Sequence, residues 1–454
     1  MVNRIRPNHY VIFFIGALFL FNLVQSSTMD LSHDEAYYWV YSQFPAWGYY
    51  DHPPMVGWLI WAGTFFGHNE LAVRFPFALM QAGVIWLLWG LADKKNFAVF
   101  SISILSFPLL LASGFLALPD TPLLFFSVLF WSQALKYYKD EKPKHWLILP
   151  LIIACMFYSK YHALVVAILT VAAMPQILKR KSFWFIVLAV VVLYLPHVVW
   201  QLERDFISFE FHLTKRSEKR FDLMNILEFI GGQAALGGFL AFLVGMYFVV
   251  KKGVAYKTLY LNSIGFFLFT LLLSFRNKVE ANWTVTAFAA FVPLLCATIQ
   301  GKKEKKLFVW CALPAVLLVT GLRLALMPAY KNAEPPFERI LEVKNWKEKT
   351  REITRLSPLP LYAETYQIAS KLSFYGEEFV PALALGSRES QFSLLKLKTK
   401  PQKDDKISYV GDKAAAEAQT VEIGYEGPVF VIPEIEFQRL LEMHDRTYEE
   451  VIRN

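Results

Sequence analysis

The stretch Tyr10–Ser27, YVIFFIGALFLFNLVQSS, leads into Leu31-Ser32-His33-Asp34-Glu35-Ala36-Tyr37-Tyr38-Trp39 and then into Tyr49-Tyr50-Asp51-His52-Pro53-Pro54-Met55. The first segment is apolar and long enough to cross a bilayer, which takes about 20 residues. Arg4 and Arg6 precede it, and Ser26-Ser27 is a poor match to the small-residue site at which a signal peptide is cleaved. We read it as a retained first helix that starts in the cytoplasm. The two polar segments then emerge together on the far side, carrying three acids, two histidines and a dense set of aromatic rings.

The rest of the chain supports a membrane solution. Of 454 residues, 55% are hydrophobic, 16% aromatic and only 19% charged. A soluble domain carries closer to a quarter charged residues. Further apolar runs lie at 73–92, 97–114, 120–137, 146–159, 162–178, 183–200, 226–250, 256–275, 282–300 and 307–326. The expectation is a mainly α, polytopic protein of about 11 spans. The net charge of +8 comes from basic clusters between these runs, a topology signal that argues against a nucleic-acid partner. Alternate loops are basic: Asp93-Lys94-Lys95, Lys136 to Lys144, Lys179-Arg180-Lys181, Lys251-Lys252 and Lys302 to Lys306. Cytoplasmic loops are enriched in this way. One loop on the opposite side is also basic, with Lys215, Arg216, Lys219 and Arg220. It is either an exposed basic loop or a docking site for an anionic lipid head group.

Residues 55–67, MVGWLIWAGTFFG, are apolar but too short to span and are expected along the outer surface. From about Tyr330 the composition becomes mixed. Pro358 to Ala363 and Gly427 to Ile432 read as strands, and Thr365 to Tyr375 and Glu434 to His444 as amphipathic helices. The expected division is therefore a membrane unit, residues 1–329, with a first outer loop at about 28–72, and a small extracytoplasmic α/β domain, residues 330–454. Cys155, Cys296 and Cys311 all lie in apolar runs and provide no disulfide framework.

Charge is scarce within the spans, with Glu228 and Arg323 the main exceptions, near outer ends. A proton-coupled carrier concentrates ionisable groups at mid-membrane; here the chemistry belongs at a surface. Ser32 with Glu35 fits a capping box that opens a short helix and places Asp34 and Glu35 in its first turn. Taken alone these are capping residues. Leu118-Pro119-Asp120-Thr121-Pro122 returns to the outer side two spans later, where Asp120 reads as a helix N-cap that can also meet Asp34 across one aqueous cleft. Arg74 and Lys160 reach the same face; each either snorkels to the interface or serves a phosphate.

This ordered set resembles the GT-C glycosyltransferases, in particular the dolichyl-phosphate-mannose protein mannosyltransferase superfamily with the lipid A aminoarabinose transferases. The resemblance covers roughly residues 1–330 and rests on Asp34-Glu35, Asp51-His52-Pro53-Pro54, Arg74, Pro119-Asp120, Lys160 and Asn282-Trp283. It implies Asp34 as the catalytic carboxylate, Glu35 as its support and Asp120 as the second acid of the cleft. Tyr50, Asp51, His52, Arg74 and Lys160, with Lys215 and Arg216, are candidate substrate contacts. The aminoarabinose branch has an acid followed by Lys where this chain has Asp51-His52, a departure that weakens His52 as a phosphate contact and leaves a divalent metal open. Asp51, His52 and His212 are the candidate ligands, although their spacing forms no metal signature. No cofactor is otherwise required.

The implied reaction moves a sugar from a polyprenyl-phosphate donor to a hydroxyl of a lipid, glycan or protein acceptor, with inversion. Cations stabilise the departing phosphate and a carboxylate removes the hydroxyl proton. Two other classes compete: a flippase or transporter for lipid-linked glycans, which calls for inverted repeats or broken helices with polar midplane residues, and a noncatalytic envelope-assembly protein, which has no need of acids at both Asp34 and Asp120. The absence of cysteine outside the spans favours a bacterial inner membrane, with the N-terminus cytoplasmic and the C-terminal domain periplasmic.

Overall fold

The computed structural model describes residues 7–212, 221–327 and 343–446, apart from 377, 386–387, 396–400, 413–417 and 423–427. The candidates Lys215 and Arg216 lie outside the described residues.

Helices dominate. α1 (Pro7–Thr28) is followed by two short helices in the segment that leads to the next long helix, α2 (His33–Gln43) and α3 (Met55–Thr64). α4 (Glu70–Leu91) packs along α1, and α7 (Asp120–Lys139) along α4. Between them lie α5 (Phe97–Ser106) and α6 (Pro108–Ala112). The helix Leu149–Ser159 packs on α7, and Lys181–Leu202 packs on Leu149–Ser159 in turn. Val285–Thr298, buried along nearly its whole length, forms the centre and touches α4, α5 and α7. Its neighbours bury an apolar core from Val11 to Val319, while Trp184, Leu188, Val192 and Leu317 are exposed as lipid-facing side chains would be.

Among the described residues six helices are long and apolar enough to cross a membrane, or seven if a bent pair is one span. Each of the eleven expected runs falls on helix, but they are not equivalent. The runs at 97–114, 146–159 and 162–178 contain shorter apolar helices, as does the outer-loop segment at Met55–Thr64. The first is broken because Pro108 disfavours helical geometry at Phe107, which is extended with φ −101° and ψ 98°. The run at 226–250 is not one helix: Leu223–Leu236 and the helix from Leu240 meet at 95°. Gly238 occupies the bend with φ +69°, a conformation open to glycine, and a Cβ there would meet the Ser106 carbonyl at 3.0 Å.

The C-terminal region forms a four-stranded sheet of β1 (Leu361–Ala363), β2 (Lys406–Gly411), β3 (Gln419–Glu422) and β4 (Pro428–Glu436), in the order β1-β2-β4-β3. β1 and β2 are parallel, with Tyr362 opposite Tyr409; the other pairs are antiparallel. Thr365 caps the helix Tyr366–Tyr375, as its position before that amphipathic run suggests. The last helix is only Phe437–Met443, shorter than expected, because Glu434–Glu436 continue β4 and Ile435 pairs with Ile407 of β2.

The sheet region is seated on α2 and the residues just before it. Tyr37, Val40 and Tyr41 of α2 share one apolar core with Ile368, Leu372 and Val410. Both backbone groups of Leu31 are held from the helix Tyr366–Tyr375: its N–H donates to Tyr375 Oη at 2.7 Å, and its carbonyl accepts from Lys371. The Trp346 N–H donates to Asp30 Oδ2 at 2.7 Å.

Candidate active site

α2 begins as its residues dictate. Ser32 Oγ accepts the Glu35 N–H at 3.3 Å, and Glu35 Oε2 accepts the Ser32 N–H at 2.9 Å, a complete capping box. The first turn then separates two neighbouring acids. Asp34 is exposed, whereas His33 and Glu35 are buried. Asp34 lines a cavity of about 910 Å³, and the α2 N-terminus favours negative charge there.

Glu35 faces the opposite way, into a fully buried pair with Arg74. The guanidinium donates to Glu35 Oε1 at 2.6 Å and to Oε2 at 2.7 Å, and also to the carbonyls of Ser26, Met29 and Asp30. Burial by itself would raise the Glu35 pKa, but the charge and hydrogen bonds of Arg74 outweigh it and hold the carboxyl below its ordinary value. Glu35 Oε1 also accepts the Ala117 N–H at 2.9 Å. Neither Glu35 nor Arg74 lines the cavity. They join the end of α1, the start of α2, α4 and the approach to α7 at one point.

Asp120 does line it. α7 starts on Asp120 itself, and no side-chain cap closes this helix. The expected N-cap role is therefore not the one Asp120 takes: its carboxylate accepts from Lys160 Nζ at 2.8 Å on Oδ1 and from Asn282 Nδ2 at 2.9 Å on Oδ2. Lys160 can reach because it leaves the helix Leu149–Ser159 in extended backbone geometry. Asn282 sits in a short 3-10 turn, Ala281–Thr284, beside Trp283, whose ring is 4.7 Å from that of His162.

The third acid of the wall, Asp51, accepts from the Tyr41 hydroxyl and, at 2.9 Å, from Arg388 Nη2. Burial again pushes its pKa up, and the neighbouring charge of Arg388 with these hydrogen bonds brings it below the usual range. His52, also in the wall, is pushed down to about 3, chiefly by burial against the opposing pull of Asp51, so it is a neutral imidazole. His212 Nε2 donates to the Asp51 carbonyl at 2.8 Å. Tyr50 donates from its hydroxyl to Glu389 Oε2 at 3.0 Å. The Tyr38 phenol is raised well above its ordinary value by burial first and then by the charges of Asp34, Asp51 and Asp120.

Asp34, Tyr50, Asp51, His52, Asp120, Lys160 and His212 thus meet at one cavity. The possible metal finds no support in this donor set: among the described residues no group of three or more His, Cys, Asp or Glu side chains is arranged to hold a metal ion. The site also contains residues that sequence reasoning did not single out: Tyr366, Arg388 and Glu389 from the C-terminal region, and His162 and Glu280 from the membrane unit. No local pattern around Arg388 marks it. Asn282-Trp283 was visible as part of the ordered set, without a role.

Comparison with known proteins agrees with this fold. Residues 51–200 match the dolichyl-phosphate-mannose-protein mannosyltransferase family. The chain is 28% identical over 282 residues to the lipid A galacturonosyltransferase RgtD of Rhizobium johnstonii, covering 58% of this chain and 59% of that protein's length. The crystal structure of ArnT from Cupriavidus metallidurans in the apo state has the same fold, with a TM-score of 0.67 at 12% identity over 93% of this chain and 98% of that one. The structure of the same protein bound to undecaprenyl phosphate matches over the same shares, with a TM-score of 0.64 at 12% identity. The chain resembles GT-C glycosyltransferases, and its fold is mainly helical with several apolar spans and a small C-terminal four-stranded sheet.

Proposed function

We propose that this chain transfers a sugar from a polyprenyl-phosphate donor to a hydroxyl acceptor, in a cavity on the extracytoplasmic face of a bacterial inner membrane. The observation that carries the reading is that Asp34 and Asp120, far apart in sequence, line one cavity with Lys160. The volume, about 910 Å³, is within the range of roughly 300–1,000 Å³ common for ligand sites. Its wall is divided. Val165, Phe269, Leu273 and Trp283 provide an apolar side suited to a prenyl chain, and the acids and cations provide the other.

Asp34 is the carboxylate assigned to take the acceptor proton. It is exposed, lines the cavity and stands in the first turn of α2, where the helix end favours its charged form. As the acceptor oxygen attacks the anomeric carbon, the bond to the phosphate oxygen breaks and the phosphate leaves with the bonding electrons. Lys160 offsets the charge that develops on it, and a single displacement inverts the anomeric centre. The similarity to a lipid A galacturonosyltransferase supports a lipid-anchored glycan among the lipid, glycan and protein acceptors open from sequence. The basic loops support an N-terminus in the cytoplasm and the sheet domain in the periplasm.

The test is release of polyprenyl phosphate from radiolabelled donors by the purified chain. A panel of hexose, pentose, uronic acid and amino sugar donors, presented with a membrane-lipid acceptor extract, is expected to contain one that is consumed. No release from any of them would refute the reading.

A further inference from the structure

The wall of the cavity is acidic. Asp34, Asp51, Asp120, Glu280 and Glu389 line it, against Lys160 and Arg388 as the cations among its described residues. Among the described residues of the wall, these are the cations that can meet a phosphate. Lys160 lies against Asp120 and its side chain is only 7% exposed, whereas that of Arg388 is 39% exposed.

Arg388 belongs to the sheet domain yet lies against the first outer loop. Its guanidinium carbon is 4.8 Å from the centres of both the Phe211 and Tyr366 rings. Nη2 donates to Asp51 Oδ2 at 2.9 Å and to the Tyr366 hydroxyl at 3.2 Å, and Nη1 to the Glu389 carbonyl at 3.3 Å. None of the hydrogen bonds found among the described residues uses Nε. Asp51 is itself fixed by Tyr41. A planar guanidinium held between two rings and oriented by a carboxylate is pre-organised, and its Nε–H is left to donate a charge-assisted hydrogen bond to an oxyanion.

We propose that Arg388 grips an oxyanion of the lipid-linked donor, so that the C-terminal domain builds part of the donor site as well as covering it. The proposal rests on the glycosyltransferase reading above. The oxyanion has two sources, the donor phosphate or a carboxylate on its sugar. In the first case Arg388 acts with Lys160 on the leaving group; in the second it selects an acidic sugar.

The experiment compares the purified full-length wild type with Arg388→Gln and Arg388→Lys. One arm titrates undecaprenyl phosphate, which carries no sugar; the other measures turnover of donors with acidic and neutral sugars. Weakening of undecaprenyl phosphate binding by about ten- to a hundredfold in Arg388→Gln, and by less in Arg388→Lys, supports the phosphate contact. Unchanged binding with selective loss of the acidic-sugar donor supports the carboxylate contact. Arg388→Lys keeps the charge beside Asp51 and reports in both arms even if the Gln variant does not fold. Wild-type behaviour of the variants in both arms overturns the Arg388 assignment alone. Failure of the wild type to bind undecaprenyl phosphate or turn over any donor overturns the donor reading on which it rests.

Discussion

Glu35 accepts the backbone N–H of Ala117 at 2.9 Å, and through that bond the two acidic segments of the cavity are held in register. Glu35 follows Asp34 directly, and Ala117 lies three residues before Asp120. The Arg74 guanidinium closes the same knot with five hydrogen bonds. A carboxylate that lines no part of the cavity therefore sets the distance between two that do. Buried charge of this kind is tolerated because every oxygen and N–H in it is paired.

Removing one partner from that knot leaves the other charge buried and unpaired. Glu35→Gln or Arg74→Ala is expected to lower unfolding stability by about 3–5 kcal/mol, seen as a lower thermal midpoint in detergent. Transfer should fall with it. Glu35→Gln combined with Arg74→Met should recover part of the stability without restoring transfer. Wild-type stability in either single variant would show that the pair is not structural.

Asp34→Asn is expected to behave in the opposite way. The side chain is exposed and lies outside the knot, so thermal stability and membrane insertion should be unchanged. Loss of a general base lowers rate by about 10²–10⁴-fold. Turnover close to wild type would remove Asp34 from that role.

Lys160→Met should act on the donor. The change deletes the cation beside Asp120 and leaves that carboxylate with Asn282 as its remaining described partner. The expected result is a higher KM for the lipid donor together with a lower kcat, since the same cation serves bound and departing phosphate. A change confined to acceptor kinetics would contradict the assignment.

His33 and His52 make stability depend on pH in a defined window. Both have pKa values lowered from 6.5 to about 3, in each case mainly by burial. Between those values the unfolded chain binds protons that the folded chain does not, so stability rises with pH. The stability is fully present above about pH 6.5 and is lost as pH falls toward 3. Thermal midpoints measured across this range should fall with acidification, and His52→Gln should flatten the slope. An unchanged slope in that variant would show that His52 is already charged in the folded protein. Glu35, held below its ordinary 4.5, contributes only at the acid end of the window.

Periodicity and local chemistry carry much of the molecule. The apolar runs identify the helices because a lipid-facing helix must bury or expose apolar side chains around its whole circumference. Ser32 with Glu35 announces the start of α2, and Thr365 the start of the helix Tyr366–Tyr375, because capping is satisfied within a few residues. The acids at 34, 51 and 120 and the cation at 160 are legible as an ordered set on one side of the membrane. Three features escape a reading of composition and capping alone. Pro108 and Gly238 break two runs that composition reads as continuous spans. Glu35 turns into Arg74 while its neighbour Asp34 turns into the cavity, since adjacent positions on a helix face in different directions. Arg388 reaches Asp51 from the far end of the chain only because α2 and the sheet domain bury one apolar core between them. Hydrophobic packing between segments hundreds of residues apart carries no local signature, and it is what completes the site.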